Sequence, residues 1–220
     1  MKLIRALIAL ITLAALVSVA SAALPETITA SIHNPGSSSY WDVDIASGGT
    51  ADLPNANNYD GWCSDFKNTT AEGSHTYKVY SSLGYIPPEV PSANWRKINY
   101  LINHRNTTDS GMGAFQAAIW HYDGVPTGYP SHSSIGSYNP QTFDAYIHDA
   151  DAAIAADPAY TPGTGDMYAV ILFDRAGVQT VFIEVPVPDI PVPEFPTVAL
   201  PVGMLVGMVY LVYIYRTRDY

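Results

Sequence analysis

Two apolar runs, one at each end, constrain this chain more than any other feature, because each is a segment that a water-soluble core cannot easily absorb. Lys2 and Arg5 precede an uncharged stretch from Ala6 to Val19, apolar apart from Thr12 and Ser18, which leads into the small residues Ala20-Ser21-Ala22. A basic start, a short apolar middle and a small-residue end make a cleaved secretory signal over residues 1–22. At the other end, Thr197 to Tyr215 carries no charge and runs into Arg216-Thr217-Arg218. That length matches one helical crossing of a hydrocarbon layer about 30 Å thick. The arginines mark residues 216–220 as a basic cytoplasmic tail, because cytoplasmic flanks are enriched in Lys and Arg. The sequence therefore predicts an exported protein anchored at the cell membrane or envelope by a transmembrane helix over 197–215.

Between these ends lies enough chain for one globular domain, over residues 23–185. From 23 to 194 there are six cations (Lys67, Lys78, Arg96, Lys97, Arg105 and Arg175) against nineteen acids. A surface so acidic repels phosphate backbones, which excludes nucleic acid as a partner. From Pro186 to Pro196 proline recurs every two or three residues. Such a segment is an extended, semi-rigid stalk.

Within the domain, short segments rich in aromatic and β-branched residues come first: Ile28 to His33, Tyr40 to Ile45, Gly61 to Phe66 and His75 to Ser81. Turn-forming residues separate them, so they read as strands. Three helical patterns follow. Ser92 can cap a helix with Trp95, Ile98, Leu101 and Ile102 on one face. Gly113 to Tyr122 repeats apolar residues at helical spacing. Asn139-Pro140 supplies a cap and a first-turn proline for a third helix running to Asp157-Pro158. Tyr168 to Phe173 is continuously apolar and reads as a buried strand, and Val178 to Val185 returns beside it after a turn. Strands, then helices, then a hairpin predict an α+β domain: a β-sandwich or barrel-like sheet with a grouped helical subdomain.

Cys63 is the only cysteine. It cannot close a disulfide within the chain, so in an exported protein it stands out as a reactive thiol, a thiol paired between molecules, or a small core residue. It lies in Tyr59-Asp60-Gly61-Trp62-Cys63-Ser64-Asp65-Phe66. A second segment, Phe115-Gln116-Ala117-Ala118-Ile119-Trp120, puts a glutamine on the second helix with an indole one turn later.

Together these segments resemble the thioester domains of surface adhesins. Those domains have an aromatic or aliphatic residue before a cysteine, and later the pattern apolar-Gln-x-x-apolar-Trp. Trp62-Cys63 approximates the first, and Phe115, Gln116, Ile119 and Trp120 fit the second; many members have Thr where Phe115 stands. Tyr100-Leu101-Ile102-Asn103 resembles the helix that precedes the glutamine in that family. The resemblance implies an internal thioester between Cys63 and Gln116, shielded from water by Trp62, Phe115, Ile119 and Trp120. It implies covalent attachment to an amine-bearing surface target, with no cofactor and no turnover as an enzyme.

The tail carries a second resemblance. Pro193-Glu194-Phe195-Pro196, then an apolar segment, then Arg216-Thr217-Arg218 is similar to the PEF-type sorting signal of archaeal surface proteins. It implies processing by an archaeosortase-like transpeptidase and transfer to a lipid-type anchor. Asn68-Thr69-Thr70 and Asn106-Thr107-Thr108 are glycosylation sequons, suited to an exterior protein.

Two other functions compete. One is a structural envelope protein in which Cys63 is inert. The other is a cysteine-dependent hydrolase using Cys63 with His75, His104 or His121 as base. The strand context of Cys63 argues against the latter, because catalytic cysteines gain from a helix N-terminus. The six histidines show no paired spacing of the kind zinc requires, so no metal is expected.

Overall fold

The computed structural model describes residues 24–33, 40–65, 73–105, 112–124, 138–174 and 177–188. All of them lie in one compact unit, Ala22–Pro188. The expected signal (1–22), sorting motif (Pro193, Glu194, Phe195, Pro196), membrane helix (197–215), basic tail (216–220) and sequon asparagines (Asn68, Asn106) fall outside the described residues. Among the described residues, no helix is long and apolar enough to cross a membrane.

Six strands close into an antiparallel barrel. They are β1 (Thr27–His33), β2 (Trp41–Ser47), β3 (Tyr59–Cys63), β4 (Gly73–Ser81), β5 (Met167–Phe173) and β6 (Val181–Pro186), in the spatial order β1-β2-β3-β6-β5-β4. Pairing of β4 with β1 completes the ring, for example Tyr77 opposite Ile28. Of the two sheet forms the sequence allowed, the barrel is the one adopted. Closure leaves no unpaired sheet edge to attract another chain.

Strand periodicity sorts the core into two layers. Ile28, Ala30 and Ile32 of β1, Val43 and Ile45 of β2, Tyr77 and Val79 of β4, Tyr168, Val170 and Leu172 of β5, and Val181, Ile183 and Val185 of β6 form one cluster. These alternate positions fill the barrel interior. Trp62, Ala169, Ile171 and Phe182 belong to a second cluster, shared with the helices. β5 and β6 are covered on both faces, which is why Tyr168 to Phe173 is continuously apolar rather than alternating. At Gly61, an added Cβ would come within 2.7 Å of Val43 Cγ2 and 3.0 Å of the Trp41 carbonyl. Glycine there lets β2 and β3 approach just before Cys63.

The helices α1 (Trp95–His104), α2 (Met112–Tyr122) and α3 (Pro140–Ala156) are inserted between β4 and β5, which are themselves neighbours in the barrel. They form the expected single group on the barrel's outer surface. Asn139 caps α3 by accepting from the Gln141 N–H, with Pro140 opening the helix. The cap of α1 differs from expectation: Asn94, not Ser92, accepts from the Lys97 N–H. The Asn94 N–H donates to the Tyr122 carbonyl at 2.8 Å, which pins the start of α1 to the end of α2 and moves the helix onset to Trp95.

Side-chain carboxamides dock α1 onto the barrel. β4 pairs with β5 only as far as Ser81 opposite Val170. Beyond that point Asn99 Oδ1 accepts from the Ala169 N–H at 2.9 Å. Asn103 both accepts from the Met167 N–H and donates to the Met167 carbonyl, each at 2.8 Å. Asn99 and Asn103, one helical turn apart, thus continue the ladder where the neighbouring strand stops. Left unmade, each such buried backbone bond would cost about 1–3 kcal/mol.

Candidate functional site

The same construction recurs at Cys63, on β3, two strands from β5 in the barrel. β2 pairs with β3 from Val43 opposite Tyr59 to Trp41 opposite Gly61. Two residues on, the Cys63 backbone is taken by the side chain of Gln116 from α2. Gln116 Oε1 accepts from the Cys63 N–H at 3.0 Å, and Gln116 Nε2 donates to the Cys63 carbonyl at 2.8 Å. Both residues are 0% exposed. The structure thus brings together the two residues expected to react, held by a pair of bonds that admits only a carboxamide in this orientation.

On its other edge β3 is fixed by β6. Gly61, Trp62 and Cys63 lie opposite Ile183, Phe182 and Val181, and the Ser64 N–H continues the ladder to the Thr180 carbonyl at 3.0 Å. Alternation along β3 puts the Cys63 side chain on the face that carries Val181, and Trp62 on the face toward the helices.

Cys63 is in no disulfide. Its sulfur accepts from Trp41 Nε1 at 2.9 Å and donates to Gln179 Oε1 at 3.0 Å. Gln179, 7% exposed, is itself fixed by donating from Nε2 to the Asp65 carbonyl at 2.6 Å. The expected strand from Val178 begins only at Val181; Gln179 precedes it, where its side chain can turn to the sulfur. Neither Trp41 nor Gln179 belongs to a sequence motif. The available signals were an indole opening a strand and one amide at the mouth of an apolar run.

The four residues expected to shield the site are all 2% exposed or less. Trp62 packs edge-on against Phe115, with ring centres 4.6 Å apart. Ile119 belongs to the helix-side core, and Trp120 meets Tyr40 edge-on at 6.1 Å. Tyr40 in turn meets Trp41 at 5.1 Å. Trp62 and Phe115 therefore cover the glutamine side of the site, and Trp41 flanks the sulfur. An open cleft of ≈ 660 Å³ elsewhere on the surface, lined by Asn94, Trp95, Tyr122 and Tyr160 among others, includes neither Cys63 nor Gln116.

Behind Trp62 lies a charged cluster that sequence patterns did not reveal. Glu184, 6% exposed, accepts from Trp62 Nε1 at 2.6 Å and from Arg105 Nη1; Arg105 Nη2 reaches Asp60 at 3.1 Å. The guanidinium carbon lies 5.3 Å from the Trp62 ring centre and 5.5 Å from that of Phe115. Burial pushes the Glu184 carboxyl up to about 7, and the opposing pull of Arg105 and of the Trp62 N–H only partly offsets it. Arg105 thus ties β3 and β6 together across the outer face, directly over the two rings that flank Cys63 and Gln116 in sequence.

The histidines considered as bases are engaged elsewhere. His75 lies 3.7 Å from Asp174, His104 stacks on Tyr100 at 3.9 Å, and His121 packs edge-on against Tyr122 and Phe143. Among the described residues there is no group of three His, Cys, Asp or Glu side chains placed to hold a metal ion.

The chain matches no protein-family profile, no curated protein and no solved structure.

Proposed function

We propose that this is a surface-anchored, adhesin-like protein that attaches covalently to amine-bearing targets through a thioester between Cys63 and Gln116. The observation that carries this reading is the two-point bond between the Gln116 carboxamide and the Cys63 backbone inside a fully buried site. It holds the Gln116 amide against the backbone of the residue that bears the thiol, and such positioning can replace much of the entropic cost of bringing two groups together.

The chemistry follows from the contacts. The Cys63 sulfur adds to the Gln116 amide carbon, and the oxygen that becomes negative is already bonded to the Cys63 N–H, a single oxyanion donor. The C–N bond then breaks, and ammonia leaves with the thiol proton. A target amine later attacks the same carbon, forming an amide with the former glutamine and returning the proton to the Cys63 thiol. The indole N–H of Trp41 supports the sulfur whenever it carries negative charge. The Trp62–Phe115 and Tyr40–Trp120 contacts keep water from the bond between these events.

The same contacts favour one second reading. The Cys63 sulfur has hydrogen-bond partners in Trp41 and Gln179, as in an envelope protein that uses Cys63 and Gln116 only to dock α2. The hydrolase alternative lacks a Cys–His pair among the described residues. Cys63→Ala separates the readings. The wild-type protein should be retained on amine-coated beads after boiling in denaturant, and Cys63→Ala should wash off. Equal release of both would leave the structural reading.

A further inference from the structure

We propose that the open cleft of ≈ 660 Å³ at the start of α1 binds a carboxylate-bearing sugar, a hexuronate free or at the end of a glycan. Its size lies within the roughly 300–1,000 Å³ of small-molecule sites. It includes neither Cys63 nor Gln116, so the inference does not depend on the thioester. Two deeply buried side chains line it with donors that the protein leaves unused. Asn99 is 1% exposed, and its Oδ1 is taken twice, by the Ala169 N–H at 2.9 Å and by Ser82 Oγ at 3.1 Å. These bonds fix the direction of the carboxamide, and Nδ2 has no partner among the described residues. Trp95 is 7% exposed and held edge-on against Phe182, with ring centres 5.8 Å apart. Its indole N–H likewise has no partner among the described residues. Buried polar groups are ordinarily hydrogen-bonded, so two unpaired donors on residues lining one cleft are a demand that a ligand oxygen can meet.

The backbone adds to this set. Trp95 and Arg96 open α1, ahead of the Lys97 N–H that the Asn94 side chain caps. At those two positions a helix offers its N–H groups no internal acceptor, and its end carries partial positive charge. Arg96 supplies a full charge, and it is the only charged side chain among the described residues of the lining, in a domain of six cations against nineteen acids. Its Nη1 holds the Pro158 carbonyl, which leaves Nε and Nη2 for another acceptor. Every unmet group is therefore a donor, and the local field selects an acceptor bearing negative charge. A single guanidinium matches the single charge of a carboxylate. The rest of the lining suits a sugar ring. Leu83, 42% exposed, and half-buried Tyr160 offer apolar surface to the ring's C–H faces, and the Ser92 and Thr161 hydroxyls can bond its own hydroxyls.

The test titrates isotope-labelled full-length protein in detergent micelles with glucuronate, glucose and acetate, following the Trp95 indole N–H and the Asn99 carboxamide by NMR. Glucuronate should shift both signals saturably. It should bind at least about tenfold more tightly than glucose, which lacks the charge, the low end of what one hydrogen bond to a charged group contributes. Acetate, which lacks the ring, should bind more weakly than glucuronate by a similar factor. Asn99→Asp keeps both Oδ1 bonds and puts an oxygen where the free donor was, so glucuronate affinity should fall at least about tenfold. If Asn99→Asp does not fold, Arg96→Gln, on an exposed side chain, should bring glucuronate down to the affinity of glucose. Glucose binding as tightly as glucuronate overturns the assignment of a carboxylate, and acetate doing so overturns the assignment of a sugar. No saturable shift with any of the three, or glucuronate affinity unchanged in the folded variant, overturns the site itself.

Discussion

Gln116 lies along the backbone of Cys63 as a strand residue would, taking its N–H at 3.0 Å and giving to its carbonyl at 2.8 Å. Asn103 of α1 does the same to Met167 of β5, with both bonds at 2.8 Å. Each carboxamide sits just past the point where a neighbouring barrel strand ends. One construction principle therefore docks two helices. At only one of the two places is the strand residue a cysteine.

Removing the Gln116 amide should be costly as well as chemically silent. Gln116→Leu leaves a buried N–H and a buried carbonyl without their partner, at about 1–3 kcal/mol each. Denaturant titration should show a loss of several kcal/mol, and methylamine uptake should be absent. Gln116→Glu keeps the acceptor but faces the Cys63 carbonyl with an oxygen in place of a donor, so it too should be destabilised and unable to form the bond.

Asn103→Leu isolates docking from chemistry. It should lower stability by about 2–4 kcal/mol, from two lost partners on a half-buried side chain. The Met167 amide, which donates to Asn103 Oδ1, should exchange with solvent markedly faster. Unchanged exchange at Met167 would contradict the docking role of Asn103.

Glu184 makes stability depend on pH. Its carboxyl is raised by burial to about 7 in the folded chain, against an ordinary 4.5. Between those values the unfolded chain has released a proton that the folded chain still holds, so stability falls as pH rises through this window. The loss is roughly 3 kcal/mol between about pH 4.5 and 7, from about 1.4 kcal/mol per pH unit. Denaturation midpoints of Glu184→Gln should lack this component, flattening the profile over the same range.

Arg105 and Glu184 should behave as a coupled pair. Arg105→Met removes the guanidinium that pulls the Glu184 carboxyl down, so Glu184 should hold its proton to higher pH and the variant should lose stability mainly above pH 7, where the wild-type carboxylate is paired. Adding Glu184→Gln should recover much of that loss. Simple addition of the two single effects would show that the pair does not interact energetically.

Local structure was largely legible in the sequence. The aromatic and β-branched runs became strands, and Asn139-Pro140 opened α3. Cys63 and Gln116 were linked by their likeness to a known motif rather than by spacing, and the structure brings them into contact. Trp41, Gln179, Arg105 and Glu184 could not be read in the same way, because their roles arise from barrel closure. Only when β6 lies beside β3, with Phe182 opposite Trp62, do Gln179 and Glu184 reach residues more than a hundred positions earlier. The misplaced cap at Ser92 has a similar origin. Ser92 and Asn94 are both good caps, and the choice between them is made by the Tyr122 carbonyl at the end of α2.

The most direct test of the central claim is the mass of the purified full-length protein, alongside Cys63→Ala prepared identically so that processing at either end cancels. After allowing for the substitution, the wild type should be lighter than the variant by one ammonia. Methylamine should replace that deficit with one added methylamine, mapped to the peptide containing Gln116, and release a titratable thiol at Cys63. A wild-type mass equal to that of the variant apart from the substitution, unmoved by methylamine, would contradict the thioester and leave Gln116 as a docking residue alone.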